Sequence, residues 1–145
     1  SLCPLLRTLD LGFNQMTNAG LSECLRLLTL HASVTTLSVA GNYLDSGASF
    51  ASLPPSVTSL DASANRLGGA IRTILPHGNV TNLNLDRTAI EEYPGEGFGR
   101  SITELSLRGN KASVDFNLLP PSLTSLHLSF CSLTCPSIGS LSLWR

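Results

Sequence analysis

The sequence predicts an α/β solenoid, with a parallel concave sheet of about six strands joined by short helical or extended convex connections. Three observations carry this expectation. First, one pattern, apolar-x-x-apolar-x-apolar-x-x-Asn-x-apolar, recurs six times, beginning at Leu6, Val34, Val57, Val80, Ile102 and Leu123. Second, the intervals are 28, 23, 23, 22 and 21 residues, which suits a crossover and forbids a tight hairpin, so successive strands run parallel. Third, all 24 apolar slots are filled, counting Ala62 and Ala112. With 42% apolar residues in the chain, chance would fill them with a probability on the order of 10⁻⁹.

The copies read LRTLDLGFNQM, VTTLSVAGNYL, VTSLDASANRL, VTNLNLDRTAI, ITELSLRGNKA and LTSLHLSFCSL. Within each, the apolar-x-apolar step is a strand period, as in Leu9-Asp10-Leu11. Six such strands at a spacing of ~4.8 Å form a sheet about 25 Å wide. After the strand the chain turns inward and strands several backbone groups. An Asn side chain offers both donors and an acceptor for them. That slot holds Asn14, Asn42, Asn65 and Asn110, with Thr88 and Cys131 in the remaining copies. Thr88 and Cys131 can do only part of the task, so the ladder is expected to be weaker there.

The connections differ from one another. From Asn18 to Leu30, apolar residues at Leu21, Cys24, Leu25 and Leu28 have helical spacing. Gly69 to Leu75 reads as a short helix stopped by Pro76. Leu53-Pro-Pro-Ser and Leu119-Pro-Pro-Ser favour an extended polyproline path. Phe50 and Phe116 each sit seven residues before a repeat start and are expected to pack under the convex side.

Together these residues resemble the leucine-rich repeat family, over roughly Leu2 to Leu133. The first, longest interval resembles the ribonuclease-inhibitor type of repeat. The Leu-Pro-Pro stretches resemble the short repeats of bacterial effectors and protozoan proteins. The resemblance implies a horseshoe solenoid. Each unit shares its core with its neighbours, because no unit can bury its apolar side alone. Residues 1–145 read as a single such domain. Both ends look unfinished: Ser1-Leu-Cys-Pro-Leu5 is a poor lid, and Ile138-Gly-Ser-Leu-Ser-Leu143 matches only half of a seventh copy. The expectation is a segment of a longer protein, or a partner that covers the ends.

Charge is sparse: 13% of residues, 9 basic against 10 acidic. Nucleic-acid binding needs a basic surplus and is not expected. No apolar run is long enough for a membrane span, and no basic start with an apolar core marks a signal peptide. With 20 Ser and 12 Thr, the surface is polar through hydroxyls more than through ions. The cysteines Cys3, Cys24, Cys131 and Cys135 are expected as thiols that form no disulfide scaffold. An intracellular setting is expected, with a secreted or surface one as the other option.

No catalytic residues, metal site, cofactor or small-molecule substrate is expected. His31 and His77 fall in connections and read as solvated, and no Gly-x-Ser-x-Gly elbow occurs. Gly95-Glu-Gly-Phe-Gly99 precedes a strand instead of opening a helix, so it reads as a loop and not a phosphate cradle. His127, Cys131 and Cys135 have metal-like spacing, but the register turns His127 outward and Cys131 inward. Asn79-Val-Thr81 is a glycosylation triplet of a kind that this Ser and Thr content produces by chance.

Function must then reside on the concave face, which the register spells out. Candidate partner contacts are Arg7, Asp10 and Phe13 in the first copy and Asp61 in the third. Asn84, Asp86 and Arg87 follow in the fourth, Glu104 and Arg108 in the fifth, and His127 and Phe130 in the sixth. Asp86, Arg87 and Arg108 have the option of pairing among themselves, and Phe13 and Phe130 are aromatic anchors. The expected function is a non-catalytic protein-binding module, a scaffold or assembly component. The alternatives are the substrate-recognition portion of a larger enzyme such as a ubiquitin ligase, and a surface adhesion repeat.

Overall fold

A computed structural model of the chain describes residues 3–30, 33–93, 98–111, 114–131 and 133. Among these, six short strands lie side by side in chain order: β1 Thr8–Asp10, β2 Thr36–Ser38, β3 Ser59–Asp61, β4 Asn82–Asn84, β5 Glu104–Ser106 and β6 Ser125–His127. Every neighbouring pair is parallel, with the central leucines Leu9, Leu37, Leu60, Leu83, Leu105 and Leu126 in register. Pairing continues past the strands. The Leu11 and Phe13 N–H groups donate to the Ser38 and Ala40 carbonyls at 2.8 and 2.7 Å, and later coils repeat this. The partial seventh copy Ile138–Leu143, along with His31 and Cys135, lies outside the described residues.

The threonines that open the strands have a structural task. The hydroxyls of Thr35, Thr58, Thr81, Thr103 and Thr124 each donate to the carbonyl at the same position one coil earlier, at 3.0–3.4 Å. On the other side of the strands the asparagine ladder forms. The Asn65 amide donates to the Val39 carbonyl one coil back at 3.0 Å, and its Oδ1 accepts from the Asn42 and Leu44 N–H groups at 3.1 and 3.3 Å. Asn42 and Asn110 do the same for Leu11 and Leu85, at 3.0 and 2.7 Å.

The convex side closes the core. Helix α1, Asn18–Leu28, buries Leu21, Leu25 and Leu28, as the spacing predicts, with a Glu23–Arg26 pair on its outer face. The second predicted helix is a 3₁₀ helix, Gly68–Thr73, because only about two turns precede Pro76 and its first residue has positive φ. The Pro-Pro pairs enter extended, Leu119 having φ −73° and ψ 148°. They then close into β-turns, with the Val57 and Leu123 N–H groups donating to the Pro54 and Pro120 carbonyls. The second proline supplies the φ that a turn needs at its second position. Phe50 and Phe116 are buried, as expected.

His77 differs from its expected solvated role. It is half-buried, and its Nε2 lies 2.7 Å from the Phe50 carbonyl, pinning one convex connection to the next. On the first coil, Leu5, Leu6, Leu27 and Leu30 stay exposed. No helix among the described residues is long and apolar enough to cross a membrane.

Candidate functional site

Past each strand the chain must bend toward the Asn slot, and two devices bend it. The first is an Asx turn: Asp10 accepts from the Gly12 N–H at 2.8 Å, Asp61 from Ser63 at 2.9 Å and Asn84 from Asp86 at 3.0 Å. The Gly12 N–H and then the Ser38 hydroxyl hold the Asp10 carboxyl below the usual carboxylate range. These three predicted contacts therefore carry a turn-closing task of their own.

The second device is a left-handed residue immediately before the Asn slot, in every coil: Phe13, Gly41, Ala64, Arg87, Gly109 and Phe130, with φ from 52 to 69°. Four of the six are not glycine, and each costs about 1–2 kcal/mol in this region. The two glycines are explained by their neighbours. A Cβ on Gly41 would meet the Phe13 ring at 2.6 Å, and one on Gly109 would meet Arg87 Cγ at 3.0 Å. A bulky side chain from one coil thus lies over the bare turn of the next.

These turns form one bank of a trough of about 720 Å³ along the concave side, lined by Phe13, Asp86, Arg87, Arg108 and Phe130 above the small residues Ser63, Ala64 and Gly109. Phe13 and Phe130 are 84% and 90% exposed. Five of the predicted contacts meet here. Asp61, Asn84 and Glu104 share a second, shallower depression of about 230 Å³, where Glu104 accepts from the Asn82 amide. Arg7 lies apart, donating to the Ser33 carbonyl at 3.1 Å, and Asp10 lines neither depression.

Of the options open to Asp86, Arg87 and Arg108, ion pairing among themselves is not taken. Asp86 Oδ1 already accepts from the Ser106 hydroxyl at 2.6 Å and the Arg108 backbone N–H at 2.8 Å. Arg87 is turned over Gly109 by its own left-handed backbone, and it donates no hydrogen bond to any described residue. Glu23–Arg26 is the sole ion pair among the described residues.

The Arg108 guanidinium reaches His127 Nδ1 at 2.9 Å, and His127 Nε2 faces the Ser125 hydroxyl at 3.3 Å. Arginine can only donate, so Nδ1 accepts and the ring proton sits on Nε2. That tautomer donates toward Ser125 and cannot take its proton, so the pair lacks the geometry of a nucleophile and its base. Cys131 points the other way, its thiol donating to the Leu107 carbonyl at 3.2 Å. His127 and Cys131 thus diverge, and among the described residues no group of three or more His, Cys, Asp or Glu is placed to hold a metal ion.

Tyr43 and Arg66 extend the bank beyond the predicted set. With Arg87 they line a further hollow of about 640 Å³. Each directly follows an Asn slot, in the only variable position between that Asn and the next apolar residue, and this was the signal available in the sequence.

Two family models match the chain, one described as Leucine Rich repeat over residues 2–23 and one as Leucine Rich Repeat over residues 122–144. The two matches bracket an unbroken ladder of coils with the same strand, the same turn and the same inward slot. The chain is a leucine-rich-repeat protein. No curated protein and no solved structure matches it. Leucine-rich repeats generally mediate protein–protein interaction, and such domains are typically non-catalytic.

Proposed function

We propose that this leucine-rich-repeat chain is a non-catalytic protein-binding module, a scaffold or assembly component, that holds its partner in the trough between Phe13 and Phe130. The observation that carries this reading is the exposure of two phenylalanines in strained backbone at the two ends of a trough floored by small residues. Neither ring contributes to the core, and exposed aromatics dominate interface energetics. We place the protein inside the cell, with Cys3, Cys24 and Cys131 as free thiols.

The test is crosslinking mass spectrometry on a native extract, followed by capture of the identified partner with Arg87 and Arg108 replaced by Ala. Capture should fall at least tenfold with the melting temperature little changed. Undiminished capture would move the site to the convex side or the ends. Intact mass of the native protein separates the other two readings. An attached catalytic domain makes the trough the substrate-recognition part of a larger enzyme. A glycan on the exposed Asn79 makes it a surface adhesion repeat.

A further inference from the structure

We infer that the trough takes an extended acidic segment of a partner protein, about seven residues long, with apolar side chains at its two ends. The inference rests on the protein-binding reading above and adds the chemistry of the occupant.

Charge and hydrogen-bonding capacity set the middle of the segment. Two of the three acidic groups on this bank are already engaged, and the third, Glu91, shares its hollow with Lys111. Asp86 holds the Ser106 hydroxyl and the Arg108 N–H, and Asp45 in the adjoining hollow holds the Asn18 amide at 2.6 Å and the Gly47 N–H at 2.8 Å. The basic groups are not. Arg87 donates to no described residue, and Arg108 reaches only His127. Arg66 and Lys111 line the two hollows that flank Arg87. With Glu91 set against Lys111 in their shared hollow, the groups left over are the guanidiniums of Arg66 and Arg87; a guanidinium is met best by a carboxylate, with two hydrogen bonds at once.

Backbone strain sets the ends. Glycine occupies the left-handed position in two coils and relaxes it. Phe13, Arg87 and Phe130 keep it strained while standing in solvent. Strained residues persist where the surrounding structure over-determines them, and they cluster at binding sites. The Phe13 ring and the Arg87 stem each lie over a glycine of the next coil, so both are pre-ordered before a partner arrives, which lowers the entropy lost on binding.

Distance sets the length. Phe13 and Phe130 are five coils apart, about 24 Å at ~4.8 Å per strand, and an extended chain rising ~3.3 Å per residue spans that with about seven. Ser63, Ala64 and Gly109 on the floor let its backbone come close.

The test is panning of a phage-displayed random octapeptide library against the full chain. Enriched peptides should carry Asp or Glu between two aliphatic or aromatic residues. Synthetic versions should bind at least tenfold more weakly to Arg87→Glu, within about threefold of normal to Arg87→Lys, and several-fold more weakly in 0.5 M salt. Circular dichroism melts of both variants keep misfolding from imitating the result. A blocking variant separates the two readings: Ala64→Phe fills the floor with a side chain this column already carries twice. Peptides lost on Ala64→Phe but free of acidic residues overturn the acidic inference and leave the trough as a protein site. Peptides indifferent to both substitutions, or no enrichment at all, overturn both.

Discussion

The inward slot is filled by an amide in the third coil and by a hydroxyl in the fourth, and the two junctions are built differently. Asn65 reaches both ways. It donates to Val39 one coil back and to Ala62 and Ser63 in its own coil, and it accepts from Asn42 and Leu44. Thr88 is equally buried, but its hydroxyl turns to the Leu85 carbonyl of its own coil at 2.7 Å. Among the described residues no side chain in that slot spans the third and fourth coils. The Gly68 N–H bond to the Thr88 carbonyl, 3.0 Å long, is a backbone substitute. A Thr side chain is too short to do the work of an amide, and the expected weakening is located at this one junction. At Cys131 the thiol still crosses, to Leu107.

Removing the amide should break the comparison most severely. Asn65→Ala strands two backbone N–H groups and several carbonyls in the interior, and should cost about 3–4 kcal/mol in urea unfolding. Thr88→Val should cost only about 1 kcal/mol, since it removes one hydroxyl donor, shared between the Leu85 carbonyl and Asn110 Oδ1, and no link to the third coil. Equal losses would show that the amide does not link the coils.

Gly41→Ala comes next. It combines left-handed strain with an overlap on the Phe13 ring, and about 2 kcal/mol of destabilisation is expected. Adding Phe13→Ala should restore part of that loss, and a double-mutant cycle measures the coupling. Additive losses would remove the ring from the account of why Gly41 is glycine.

Supplying the missing link is a gentler change. Thr88→Asn should stabilise by about 1 kcal/mol and raise hydrogen-exchange protection on both sides of the junction. A loss would mean that the second left-handed residue of this coil, Ala89 at φ 57°, leaves no room for the amide.

The smallest effect is an acid one. Hydrogen bonds lower the Asp10 and Asp45 carboxyls, so their contribution is complete above the ordinary carboxylate range and fades as pH falls through their lower folded values. Both groups are exposed, so Asp10→Asn should flatten the acid limb of the stability curve only slightly.

Where the chemistry was periodic, the sequence was legible. Each of the six repeats carries one observed strand, and α1 lies where Leu21, Leu25 and Leu28 put it. The left-handed turns were legible only at Gly41 and Gly109, because Phe13, Ala64, Arg87 and Phe130 adopt that conformation under the constraint of the stacked coils, against their own preference. His77 was misread because its acceptor lies in the preceding connection, a contact that no local pattern encodes. Register picked out Phe13, Asp86, Arg87, Arg108 and Phe130, which line the trough, and also Arg7 and Asp10, which line neither depression. The Asx turns of Asp10, Asp61 and Asn84, and the internal bonds of Asp86, depend on side-chain rotamers and on the coil alongside, so the sequence could not divide partner-facing groups from those already engaged.

The Pro-Pro turns mark a larger period. Phe50, Pro54, Val57 and Leu60 correspond to Phe116, Pro120, Leu123 and Leu126, each pair 66 residues apart, or three coils. A bulky side chain lies over a glycine in the first two coils of each triplet, Phe13 over Gly41 and Arg87 over Gly109. The junction that Thr88 leaves without an amide is the seam between the triplets. The six coils thus group as two triplets: loss of the first, second, fourth or fifth coil would part a side chain from its glycine, whereas a whole triplet inserted at the seam leaves both partnerships intact.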